Sequence, residues 1–253
     1  MKLIAVKDYK QLSEKAAKLI IQKVNEKPDA VLGLATGGTV VGIYEELIRD
    51  HKENATSYKH TRSVNLDEYI GLAPYHEQSY FSYMNELFFK EIDIQAQHTH
   101  LPNGQAHNVT EECERYEQLI KALGGIDLQL LGIGENGHIG FNEPGTSFHS
   151  LTHVVKLAQS TREANARFFS SIDSVPTHAI TMGIATIMSS REIMLVVSGE
   201  KKAEILCELF THGKTESIPA TVLKDHLNVT VIADEQALSV LNKQENHTKL
   251  FTT

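Results

Sequence analysis

At 253 residues, with 41% apolar residues and a formal net charge of −8, the chain is long enough to bury a full core, and its acidity excludes a general nucleic-acid-binding or anionic-membrane surface. An anionic ligand must then be held by a few locally placed basic groups, which points to a small-molecule site. The only cysteines are Cys113 and Cys207, and the amino terminus MKLIAVKDYK lacks an apolar stretch long enough for a signal peptide or membrane span, so a reduced, soluble, cytoplasmic setting is expected.

In chain order, apolar runs of strand length alternate with stretches of helical period. LIAV (3–6) precedes a helical pattern over 8–26, AVLGLA (30–35) one over 40–51, and SVNL (63–66) one over 78–92. The helical pattern ECERYEQLI then leads towards LQLLGIG (128–134), followed by IMLVVSG (193–199) with a helix over 200–211 and VTVIA (229–233) with one over 235–242. Period 2 or continuous apolarity marks the strands, and period 3.6 the helices. The rhythm predicts βαβ units: an α/β fold with a doubly wound, mostly parallel open sheet and helices on both faces, in one Rossmann-like domain over 1–253. Both cysteines fall in helical patterns, where packed thiols are expected rather than catalytic ones. The segment from Gly145 to about Ser171 is long, mixed in periodicity and without a clean strand. Beside a site, such a segment is expected to form a lid.

Open sheets of this kind bind ligands beyond the carboxyl ends of their strands. Four of those ends carry chemistry-bearing residues: TGGT, DEY, GENGH and GEKK. In LATGGTVVGIYEEL, Thr36, Gly37, Gly38 and Thr39 sit between a strand and a helix, where successive amides, hydroxyls and the helix dipole suit a phosphate, though a glycine pair also makes an ordinary tight turn. Lys202 opens a helix, a mildly unfavourable place for a cation unless an anion compensates it. Arg167, in TREANARFF, is a second basic candidate, with a surface cation resting on Phe168 or Phe169 as the alternative. Asp67 and Glu68 are adjacent on extended chain and so point opposite ways. Asp67, directly off the strand, is the one expected to face the crevice, against the alternative of a helix or turn cap.

The stretch LGIGENGHIGFNEPG surrounds His138 with Gly132, Gly134, Gly137 and Gly140. Backbone rather than side chains presents this imidazole, and the nearby Glu143, held by Pro144, can fix its tautomer, as a proton shuttle requires. His98 and His100, in HTH, have no third partner at metal-binding spacing and read as a polar loop. Neither a metal nor a nucleotide cofactor is expected.

Together, LGLATGGT, NLDEYIGL, GIGENGHIGFNEPG, STREANARFF and GEKKA resemble the glucosamine-6-phosphate deaminases, in the same order and across nearly the whole chain. The resemblance implies conversion of glucosamine 6-phosphate and water to fructose 6-phosphate and ammonia, through ring opening, isomerisation and loss of the amine. By matching motif positions it implies that His138 serves ring opening and Asp67 moves the proton between adjacent carbons. Glu143 would then polarise His138, while Thr36, Gly37, Gly38, Thr39, Arg167 and Lys202 hold the phosphate. Two departures stand out. Asn136 replaces the aspartate found two positions before the histidine in the best-known allosteric members; it can hydrogen-bond but brings no charge, so Glu143 carries that role. His153 and Val155 replace the arginine and lysine that hold an effector phosphate in those members, and the longer tail is missing, so effector activation is expected to be absent and the protein to be a monomer or small homo-oligomer. The rival readings are a sugar-phosphate lactonase on the same fold, which leaves Asp67 and Glu143 without a task, and a non-catalytic sugar-phosphate sensor, which needs no acid–base groups.

Overall fold

A computed structural model describes residues 1–166 and 169–243. Its strands are β1 (Lys2–Val6), β2 (Val31–Leu34), β3 (Arg62–Asn65), β4 (Asp67–Tyr69), β5 (Thr99–His100), β6 (Leu128–Leu131), β7 (His153–Lys156), β8 (His178–Thr181), β9 (Glu192–Val197) and β10 (Val229–Asp234). Between them lie the helices α1 (Tyr9–Glu26), α2 (Val41–Asn54), α3 (Tyr80–Leu87), α4 (Val109–Ala122), α5 (Gln159–Asn165), α6 (Ile184–Met188) and α7 (Ala203–Thr211).

Local chemistry sets these boundaries. Asp8 caps α1 by accepting from the Gln11 amide at 2.9 Å, and Asn108 caps α4 by accepting from Thr110 and Glu111, which satisfies amides that have no partner within the helix. On α1 the buried residues Leu12, Ala16, Ala17, Ile20 and Val24 recur at three and four, forming the stripe that packs on the sheet. The strands β2 and β6 are buried along their whole length, because helices cover both faces of a parallel sheet.

Seven strands form the main sheet in the order β1-β10-β9-β6-β2-β3-β5, every pairing parallel. From β2 the chain runs outward through β3 to β5, then crosses back to β6 and continues through β9 and β10 on the other side. The reversal therefore lies between β2 and β6, and it opens a crevice beyond their carboxyl ends. Among the described residues the first strand pairs only with β10, Lys2 opposite Thr230 and Val6 opposite Asp234.

A second sheet, β4-β8-β7, is antiparallel. It stands on a smaller core of Tyr69, Phe141, Leu157 and Ala179. Asp67 comes off the end of the main-sheet strand, as expected, but the chain does not turn there: it begins β4 at once, so Asp67 lies opposite Thr181 of β8. One expectation is corrected. The segment 145–171, expected to lack a clean strand, contains β7 and α5. Each strand of this sheet has three or four residues, too few for a period to stand out. The two-residue β5, within HTH, forms the outer edge of the main sheet. Among the described residues no helix is long and apolar enough to cross a membrane.

Candidate active site

The crevice holds a cavity of about 610 Å³. Into it open Thr36, Gly37, Gly38 and Thr39 from the end of β2, Asp67 from β4, Asn136 and His138 from the loop after β6, and Lys202 before α7. All four strand ends singled out in the sequence thus meet in one place. Arg167 lies outside the described residues.

The turn after β2 is built for an anion. Gly37 has φ +108°, a conformation that side chains oppose, and the turn Gly38–Val40 leads into α2 with no side-chain cap. Amides at such an end remain for water or a ligand. The Tyr9 hydroxyl braces the turn, donating to the Gly38 carbonyl at 3.1 Å and accepting from the Gly42 amide at 2.8 Å. Opposite, Lys202 stands at the start of α7, which also has no side-chain cap. Burial pushes its ammonium below the ordinary lysine range; Glu135 opposes that shift and Lys201 adds to it. An arriving dianion would reverse the cost of the desolvated ammonium.

His138 is held by backbone. The Gly134 amide donates to the His138 carbonyl at 2.9 Å and the Gly137 amide to the Gly134 carbonyl at 3.0 Å, closing a tight turn. A Cβ at Gly134 would collide with the imidazole, so glycine is required for the ring to lie flat on the turn. Behind the ring stands Glu143, whose Oε2 is 3.6 Å from His138 Nδ1 and accepts from Asn136 Nδ2 at 2.6 Å. Its Oε1 accepts from Thr161 Oγ1 at 3.0 Å. Burial raises the Glu143 carboxyl, but His138, Asn136 and Thr161 together outweigh it and hold the group below the ordinary glutamate value. An ionised carboxylate therefore sits against the imidazole.

Asp67 is only 6% exposed, and among the described residues no hydrogen bond reaches its carboxyl. Burial first, and the neighbouring Glu68 second, raise its pKa to about 8. Gly140, with φ +58°, places no side chain before it: an added Cβ would stand 3.8 Å from Asp67 Oδ2. Glu68 points away, as alternation requires. It accepts from the amides of Tyr69 at 2.8 Å, Tyr80 at 2.9 Å and Phe81 at 2.8 Å, and so fills the start of α3. A cavity with one anion cradle, one imidazole backed by a carboxylate and one proton-binding carboxyl can hold a phosphorylated substrate and move protons to and from it.

Sequence reasoning missed Tyr80, Phe141, Glu135 and Thr161, which also line the cavity. Glu135 and Phe141 lie inside the quoted histidine stretch and Thr161 inside STREANARFF, so those motifs carried the signal; Tyr80 had none beyond heading the helix after DEY.

Comparison with known proteins gives a consistent picture. A family model described as glucosamine-6-phosphate isomerases/6-phosphogluconolactonase matches residues 7–232. The chain is 61% identical over 241 residues to a glucosamine-6-phosphate deaminase of Geobacillus sp. (strain WCH70), covering 95% of this chain and 96% of that one. To glucosamine-6-phosphate deaminase 1 of Bacillus subtilis (strain 168) it is 52% identical over 240 residues, covering 95% and 99%. A solved monomeric glucosamine-6-phosphate deaminase superposes with TM-score 0.93 at 52% identity, over 95% of this chain and 100% of that one. The 6-phosphogluconolactonase of Thermotoga maritima, 19% identical with TM-score 0.73 over 92% and 99% of the two chains, shares the fold. The chain belongs to the glucosamine-6-phosphate isomerase/6-phosphogluconolactonase family.

Proposed function

We propose that this protein is a glucosamine-6-phosphate deaminase, converting glucosamine 6-phosphate and water to fructose 6-phosphate and ammonia within one domain, as a cytoplasmic monomer. The observation that carries the choice is Asp67, a buried carboxyl with no hydrogen bond among the described residues, facing the same cavity as His138. Lactone hydrolysis has no use for a second proton carrier there. Isomerisation does.

In this reading the substrate phosphate lies on the amides and hydroxyls of Thr36, Gly37, Gly38 and Thr39, with Lys202 and, on sequence grounds, Arg167 supplying charge. His138 gives a proton to the ring oxygen as the C1–O5 bond breaks and the C1 hydroxyl releases its own proton to become the aldehyde, and Glu143 and Asn136 hold the imidazole in the donating orientation. Asp67, as the carboxylate, removes the proton from C2 of the open aldehyde, giving an enolamine, and returns it to C1. The resulting imine at C2 takes up water and releases ammonia, which balances the reaction. Every step is a proton transfer, an addition or the matching elimination, and the oxidation level of the molecule as a whole is unchanged. The segment expected as a lid, 145–171, covers the sugar through α5, whose Thr161 already lines the cavity.

The decisive experiment measures ammonia release from glucosamine 6-phosphate by the wild type and by Asp67→Asn. The wild type is expected to release ammonia and the variant to lose about 10²- to 10⁴-fold. Hydrolysis of 6-phosphogluconolactone without ammonia release would assign the lactonase activity instead. Tight sugar-phosphate binding with neither reaction would make the protein a sensor.

A further inference from the structure

Thr161 belongs to no motif role assigned above, yet its hydroxyl donates to Glu143 Oε1 at 3.0 Å and it lines the cavity from α5. The other carboxylate oxygen, Oε2, accepts from Asn136 at 2.6 Å and stands 3.6 Å from His138 Nδ1. The terminal torsion of a glutamate is broad and two-fold, so one occupied oxygen does not fix the plane of the group. Two anchors on opposite oxygens do. Asn136 comes from the same loop as His138, whereas Thr161 comes from a different element, across the cavity mouth. The backbone of α5 is in turn tied down through Arg162, whose guanidinium donates to the Ile172 carbonyl at 2.8 Å and to the Val175 carbonyl at 3.1 Å.

We infer that Thr161 is a positioning residue for the deamination reaction, its hydroxyl orienting Glu143 so that His138 is aligned only while α5 sits over the cavity. The inference rests on the deaminase reading. Thr161 touches no reacting atom in this role; it acts through Glu143, and it makes α5 part of the acid–base apparatus rather than only a cover. A preorganised hydrogen bond to a charged group is worth roughly tenfold or more in rate.

The test compares Thr161→Val, which keeps the shape and removes the donor, with Thr161→Ser, which keeps the donor. Steady-state ammonia release should show kcat falling about tenfold in Thr161→Val with KM nearly unchanged, and recovering towards the wild type in Thr161→Ser. In a ¹³C titration the Glu143 carboxyl of Thr161→Val should move upward, since one group that lowers its proton affinity is gone. In the background of Glu143→Gln the valine substitution should have little further effect, because the hydroxyl acts through the carboxylate. Equal kcat in wild type and Thr161→Val, or a loss confined to KM, would overturn the inference while leaving the deaminase reading in place. Absence of ammonia release by the wild type would overturn that reading and the inference with it.

Discussion

Asp67 is costly to the fold and useful to the reaction for the same reason. Its carboxyl has a pKa of about 8 against an ordinary 3.8, chiefly because it is buried. The native protein therefore binds more protons than the unfolded chain between those two values, and stability falls as pH rises through that window, with the full cost present above about 8. Replacing Asp67 by Asn removes the cost. The thermal midpoint of Asp67→Asn should exceed that of the wild type at pH 9, by about 2–4 °C per kcal/mol relieved, and the gap should narrow as the pH is lowered towards 5. A base must be ionised to work, so kcat/KM should climb with pH along an acidic limb near 8. A limb near 4 would mean that the free enzyme holds Asp67 ionised at rest and would refute this account.

Single elements carry the next layer of argument. Glu68 fills the start of α3 with three amide hydrogen bonds, and α3 brings Tyr80 to the cavity wall. Glu68→Ala should cost about 3 kcal/mol in urea denaturation, since buried amides lose their acceptor, and should raise KM as Tyr80 loses its seat. Unchanged stability would show that Ser79, which also caps α3, suffices alone. A comparable fastening lies under the second sheet: Glu117 of α4 accepts from the amide and hydroxyl of Thr152 and from the hydroxyl of Thr186, pinning the start of β7 to α6. That Asp67 and Glu68 face opposite ways was readable from alternation, the choice of Asp67 for the crevice from its place directly after the strand, and the framing of His138 from the glycines around it. The second sheet was not. Its strands are too short for a period to show, and in β7 the half-buried His153 and Val155 alternate with the exposed Val154 and Lys156, so that polar and apolar residues fall on both faces. Thr161 escaped notice because helix-start threonines ordinarily cap, and only the tertiary fold brings Glu143 to its hydroxyl.

For the molecule as a whole, the parallel sheet was legible because β2, β6 and most of β9 and β10 are continuously buried apolar segments, each set before or after a stretch of helical period, and the crevice followed from the rule that ligands sit where strand order reverses. The same architecture bears on regulation. His153 is tied through Nδ1 to the Leu151 carbonyl at 2.8 Å, and Val155 packs against the smaller core; neither is the permanent cation that holds an effector phosphate in the allosteric pattern. Velocity plotted against glucosamine 6-phosphate should thus be hyperbolic, and N-acetylglucosamine 6-phosphate should leave it unchanged. A sigmoidal curve relieved by that compound would defeat the prediction. Sedimentation should return the mass of a single chain.

The pairing of β1 with β10 alone has a consequence for synthesis. As the chain leaves the ribosome, its first strand emerges with no neighbour, and the one it needs is more than two hundred residues away. The site-bearing strands β2, β3 and β6 can associate long before the sheet's edge is complete, because their separations are shorter and loop closure costs less. Until β10 arrives, β9 offers an open apolar margin and β1 trails free, the state most exposed to wrong pairing with another chain. The emergence of β10 is therefore the point at which β9 and β1 cease to be open margins and become paired parts of the sheet.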